Sequence, residues 1–144
     1  MMKSRSVFVD TWGWVAYGHR RDNYHAVVVK VFQDLRSCNI PIHTSDYVLD
    51  EVITLLFKRE VFAEAKKFLE GIFAAAELGQ VQIHRVTSDH FADAWRLRKQ
   101  FQDKPLISFT DLTSMVIMRT HKIQDVLTQD DHFLQVNLGF VKIP

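Results

Sequence analysis

Along this chain, short apolar runs with strand character alternate with longer segments of helical period. Residues 6–9 read as a short buried strand ending at Asp10. Asp22 is placed to cap a helix carrying Ala26, Val27, Val31, Phe32 and Leu35. Residues 41–43 predict a second strand, after which Ser45 or Asp46 caps a helix through Leu49, Val52, Leu55 and Leu56. Residues 61–78 are helical in period, with Gly79 as the stop. Residues 81–86 alternate as a third strand. Thr87 or Ser88 starts an amphipathic helix bearing Phe91, Ala94, Trp95, Leu97 and Arg98, and Ser108 starts another that reaches His121. A fourth strand at 125–128, a short helical turn and a last strand at 140–143 complete the pattern. This alternation predicts an α/β fold: a mostly parallel five-stranded sheet with helices on both faces. Ligands of such sheets sit at the carboxyl ends of the strands, where Asp10 and Asp130 fall.

Composition sharpens the picture in a few places. The 144 residues are expected to form one domain over 1–144, and 47% hydrophobic content is enough for a real core at that length. A net charge of +1 excludes bulk electrostatic binding of nucleic acid, so any such surface must be a local patch. Cys38, the single cysteine, has no internal partner. It is expected to be a half-buried thiol in a reducing compartment, here the cytoplasm. The first ten residues carry charge but no long apolar run, so no signal peptide is expected, and no run is long enough to span a membrane. Repeats, low-complexity stretches and linkers are absent.

Four carboxylates stand at or near the ends of apolar segments: Asp10, Glu51, Asp111 and Asp130. Gathered together they would repel one another, so a compensating cation is the functional reading, and all-oxygen donors suit Mg²⁺ or Mn²⁺. Each also has a plainer reading. Asp10 is a possible N-cap after a strand. Glu51 lies at the edge of an apolar face centred between Val52 and Leu56, where a surface glutamate is ordinary. Ser108 and Asp111 form an S-x-x-D capping box, although Asp111 also aligns with Met115 and Met118 on an apolar stripe. Asp130 competes with its neighbour Asp131, one of them being a helix cap. Thr11, Thr110 and Thr128 are the hydroxyls placed to support these acids.

The remaining candidates are weaker. The seven histidines show no zinc spacing, and His132 reads as a surface residue. A basic rim for RNA would draw on Arg20, Arg21, Arg59, Arg96, Arg98, Lys99 and Lys104. Trp12, Trp14 and Tyr17 follow Asp10 and are either base-stacking or core residues. Phe62, Phe68, Leu69 and Phe73 offer more apolar surface than a monomer needs.

Taken jointly, the motifs resemble PIN-domain nucleases of the VapC toxin type over essentially the whole chain. They are Asp10-Thr11 closing the first strand, Asp22-x-x-His25 opening a helix, Glu51 on an apolar helix, Ser108-x-x-Asp111, and Thr128-x-Asp130-x-x-Phe133 followed by Gly139-Phe140. The resemblance implies a three-layer α/β/α PIN-like fold and Mg²⁺- or Mn²⁺-dependent cleavage of single-stranded or looped RNA. It matches Asp10, Glu51, Asp111 and Asp130 to the family's acidic positions one by one. It also implies a cognate antitoxin and a homodimer. The chain departs from the pattern in bulky Trp12 and Trp14 and in the extra charge of Asp131. A response-regulator receiver fails for want of an Asp after the third strand and a late Lys, and a haloacid-type phosphatase for want of D-x-D. A catalytically silent PIN-like module that binds protein or RNA is the alternative, but it would be favoured by loss of an acid, and all four are present.

Overall fold

A computed structural model describes residues 5–144; residues 1–4, part of the stretch expected to carry no signal peptide, lie outside the described residues. The elements are β1 (Val7–Val9), α1 (Thr11–Gly18), α2 (His25–Ser37), β2 (Ile42–Ser45), α3 (Asp46–Arg59), α4 (Phe62–Glu77), β3 (Val81–His84), α5 (Ser88–Gln100), α6 (Phe109–Thr120), β4 (Asp125–Leu127), α7 (His132–Gln135) and β5 (Val141–Ile143). All four strand pairings are parallel, in the order β3-β2-β1-β4-β5. The chain runs outward from β1 to β3 and then returns to β1's other side with β4. With right-handed crossovers, this reversal puts α2–α4 and α5–α6 on opposite faces, giving three layers. It also opens a crevice at the carboxyl ends of β1 and β4, where the order switches. β1 is the middle strand, and Val7, Phe8 and Val9 are buried with Val126 and Leu127 of β4. Strands covered on both faces read as unbroken apolar runs for this reason.

Several starts and stops follow local chemistry. Ser45, not Asp46, caps α3, its Oγ accepting from the Val48 N–H at 3.1 Å. Thr87, not Ser88, caps α5 in a reciprocal box with His90. Gly79, at φ +77°, ends α4, and the Gly79 and Gln80 N–H groups donate back to Ala76 and Ala75.

Other expectations are corrected. Asp22 does not cap α2, which begins at His25. Its Oδ1 instead accepts from the Tyr24 N–H at 2.8 Å within the preceding turn. The buried face of α2 runs through Val28, Phe32 and Leu35, and Ala26 and Val27 are exposed. On α5 the buried positions are Ala94 and Leu97, while Phe91 and Trp95 are exposed. Cys38 is exposed, not half-buried. Among the described residues no helix is long and apolar enough to cross a membrane.

Two features lay outside the pattern altogether. Helix α1, TWGWVAYG, is apolar on every side and holds two glycines, so it has neither the stripe nor the propensity of a surface helix. It forms because Trp14, Val15 and Ala16 are buried as it passes over the end of the sheet. The second feature is a stack of histidines from three elements. His43 Nδ1 lies 2.8 Å from His84 Nε2, and the His121 ring lies 4.3 Å from that of His84. Burial first, then the neighbouring histidines, hold His84 down at about 4, and burial also lowers His43. The unfolded chain takes up protons below about pH 6.5 that the folded chain refuses. The stack's contribution to stability is thus present above that pH and is lost as pH falls toward 4.

The close seat of α1 gives a direct test. A Cβ on Gly13 would stand 2.9 Å from Val9 Cγ1 and 3.0 Å from the Leu127 carbonyl oxygen. At an exposed helix position Gly→Ala gains about 1 kcal/mol. Here Gly13→Ala is expected to cost roughly 1–3 kcal/mol in urea unfolding, because backbone must shift to admit the methyl. A neutral or stabilising result would mean that α1 does not press on the β1–β4 edge.

Candidate active site

The switch point between β1 and β4 carries a pocket of about 490 Å³ lined by Asp10, Glu51, Asp111 and Asp130, with Thr11, Trp12 and His132 also in its wall. Four elements supply the acids. Asp10 follows β1 directly and occupies the N-cap position of α1, but its side chain makes no capping bond. Its Oδ2 accepts from the Thr128 hydroxyl at 3.0 Å. Its Oδ1 is buried with no hydrogen-bond partner. Thr128 Oγ also accepts from the Asp130 N–H at 3.0 Å, so one hydroxyl at the end of β4 positions both acids.

Glu51 reaches in from α3, and its Oε1 accepts from the Thr11 hydroxyl at 3.2 Å. Asp111 comes from the first turn of α6, which Ser108 caps by accepting the Asp111 N–H at 3.0 Å. The expected capping box is only half formed. The Asp111 carboxylate turns away from the helix end and lies 3.0 Å from His132 Nδ1. Asp130 Oδ1 accepts from the His132 N–H at 2.9 Å, and its Oδ2 lies 3.0 Å from the same His132 Nδ1. Asp131 points elsewhere, pairing with Lys142 at 2.7 Å on the surface.

Burial and mutual repulsion dominate the electrostatics. Asp10 is pushed up to about 7, first by loss of water and then by the charge of Asp111, against the opposing hydrogen bonds from the Thr11 backbone and Thr128. Asp111 is raised by burial and by Asp130, with His132 opposing. Glu51 is raised by burial and by Asp111, with the Thr11 and Thr110 hydroxyls opposing. An unpartnered buried oxygen among carboxylates that resist ionisation is the environment a cation relieves. The residues present therefore fit a divalent ion with oxygen donors.

His132 was read from the sequence as a surface residue, and the structure corrects this. It stands two positions beyond Asp130 in a tight turn, and the bond from its own N–H to Asp130 brings its ring back over the acids. Its place directly after the Asp130-Asp131 pair was the available signal.

Of the aromatic candidates, only Trp12 lines the pocket, with Tyr24 edge-on at 5.3 Å. Trp14 is buried and donates to Thr44, and Tyr17 stacks on Phe32 at 4.1 Å, so both belong to the packing. None of Arg20, Arg21, Arg59, Arg96 and Lys99 lines the pocket. Arg20 borders a separate cavity between α1, α2 and α4. Arg21 donates to the Arg59 carbonyl, and Arg96 pairs with Asp93. Arg98 donates to the carbonyls of Phe101, Lys104 and Ile107, holding the loop that leads into Ser108 and α6.

Comparison with known proteins agrees with this geometry. The chain matches the PIN domain model over residues 7–138 and belongs to the PIN domain family. Its fold is similar to that of Mycobacterium tuberculosis VapC20, a sarcin-ricin loop cleaving toxin. Identity is 31% and the TM-score 0.77, with 96% of this chain and 98% of that chain covered. Class and neighbour together make it a VapC-type PIN endoribonuclease. No curated protein matches it significantly.

The raised Asp10 pKa has a thermodynamic sign. Without metal, the folded state keeps a proton between pH 3.8 and about 7 that the unfolded chain has lost, so stability falls as pH rises through that window. Asp10→Asn removes this dependence. In chelator, the variant is expected to gain on the wild type from pH 5 to pH 8 by roughly 1–3 kcal/mol in denaturant unfolding. Mg²⁺ or Mn²⁺ at pH 8 should narrow the gap by stabilising the wild type. A difference that does not vary with pH would contradict the electrostatic account of the pocket.

Proposed function

We propose that the chain hydrolyses phosphodiester bonds of single-stranded or looped RNA at the four-carboxylate pocket, with Mg²⁺ or Mn²⁺, as the toxin of a toxin–antitoxin pair. The observation that supports this most is the buried, unpartnered Oδ1 of Asp10, an acid that the charge of Asp111 repels. In this reading Asp10 and Asp111 hold the ion, and Glu51 and Asp130 complete the donor set. The ion, when bound, supplies the charge that offsets the acids and the Lewis acidity that a scissile phosphate needs. The protein's own contribution is placement. Thr128 locks Asp10 and Asp130 together, Thr11 steadies Glu51, and Trp12 lines the pocket. Hydrolysis adds water across the P–O bond and leaves a 3′-hydroxyl and a 5′-phosphate.

VapC20 cleaves the sarcin–ricin loop, and we take a synthetic hairpin of that loop as the first substrate to try. The exposed cations Arg20, Arg21, Arg59, Arg96 and Lys99 would act on flanking RNA backbone only, as attraction that salt weakens. A cognate antitoxin is the proposed protein partner, in the cytoplasm. Of the expected apolar face, Leu69 is buried and Phe68 packs against the core, so Phe62 and Phe73, with Val61, are what it offers a second copy in a homodimer.

Asp111→Asn separates function from folding. Ser108 caps α6 through the Asp111 backbone N–H, which the substitution keeps. In chelator the variant is expected to unfold no lower than the wild type, because a repelling charge is gone, while hairpin cleavage with Mn²⁺ falls at least about 100-fold. Full cleavage by a folded Asp111→Asn protein would refute the assignment. Binding of the hairpin without cleavage by the wild type would instead favour a silent PIN-like module.

A further inference from the structure

The pocket sets one imidazole among its carboxylates. His132 Nδ1 lies 3.0 Å from Asp111 Oδ2 and 3.0 Å from Asp130 Oδ2. A ring nitrogen has a single bonding direction, so it serves two anionic oxygens at once only poorly. Two carboxylate oxygens and one ring nitrogen grouped this closely suit the donor set of a common ion. Their ligand atoms all lie within 4.8 Å of one another. The His132 N–H to Asp130 bond at 2.9 Å fixes the backbone turn that carries the ring. A second observation lies in the same pocket: Asp10, only 4% exposed, lines it and leaves its Oδ1 unpartnered.

We propose that His132 binds the divalent ion directly through Nδ1, beside Asp111 and Asp130, and that this nitrogen moves the site's preference from Mg²⁺ toward Mn²⁺. The inference rests on the cation-dependent reading above. Mg²⁺ demands an octahedron of oxygens and gains little from an imidazole, whereas first-row transition ions accept nitrogen readily. The rival role for His132 is a resident counter-charge between Asp111 and Asp130 that a metal must displace. The two roles predict opposite signs on removal of the ring.

The test is calorimetric titration of Mn²⁺ and Mg²⁺ into wild type, His132→Ala, His132→Asn and, as a surface control, Asp131→Asn. It is paired with pulsed EPR of the Mn²⁺-loaded proteins. Direct ligation predicts a ¹⁴N coupling in wild type and Asp131→Asn that both His132 variants lose. It also predicts that both variants lose roughly tenfold or more in Mn²⁺ affinity, while Mg²⁺ affinity changes about twofold or less. His132→Asn keeps a polar side chain in the turn, so a fold defect confined to the alanine variant leaves the test intact. Absence of the nitrogen coupling, or tighter binding of both ions by equal factors in the variants, overturns ligation by His132 but keeps the cation site. Absence of Mn²⁺ binding in the wild type overturns both.

Discussion

Repulsion among carboxylates that the fold forces into one buried pocket is the constraint on which the rest depends. Asp10 is placed by the central strand, and Asp111 by a helix that returns on the other side of the sheet. Neither position is adjustable, because β1 is flanked on both sides and Ser108 pins the start of α6. The chain therefore holds like charges where each raises the pKa of the next. Such an arrangement costs stability in the absence of a counter-charge. A cation with oxygen ligands would relieve that cost, which is why the proposed function puts one here.

The surroundings of the acids serve this one arrangement. The Thr128 hydroxyl joins Asp10 to the backbone of Asp130, coupling the ends of β1 and β4 at the switch point. Arg98 spends its guanidinium on three carbonyls of the loop before α6, so a cation that looked available for RNA instead fixes the approach to Asp111. Gly13 lets α1 pass close over Val9 and Leu127, which keeps Thr11 within reach of Glu51. Support for the site thus comes from residues with no chemistry of their own.

How much of this was legible in the sequence depended on the range of the interaction involved. Strands, the caps at Ser45, Thr87 and Ser108 and the stop at Gly79 follow from local pattern to within a few residues, whereas Asp22 reads as a cap and is a turn residue. The four acids were readable because each closes or edges an apolar segment and the spacing resembled a known family. Helix α1 was not, since its burial comes from tertiary contact and leaves no amphipathic period. The face of α2 runs through Val28, Phe32 and Leu35 because the core it packs against, not the local apolar pattern, selects it. His132 was hidden because its role depends on a turn folding back by two residues. The histidine stack was hidden because β2, β3 and the end of α6 meet only in three dimensions. Phe91, exposed on α5, packs its ring 4.9 Å from Phe109, a contact no single-helix pattern encodes.

The account stands or falls on whether an ion occupies the space between Asp10 and Asp111. Anomalous diffraction from crystals soaked in Mn²⁺ asks this directly. The account predicts a strong peak within coordination distance of the Asp10 and Asp111 carboxylates, with Oδ1 of Asp10 no longer unpartnered. A saturating soak that labels only surface sites, and leaves the pocket holding water alone, would contradict it.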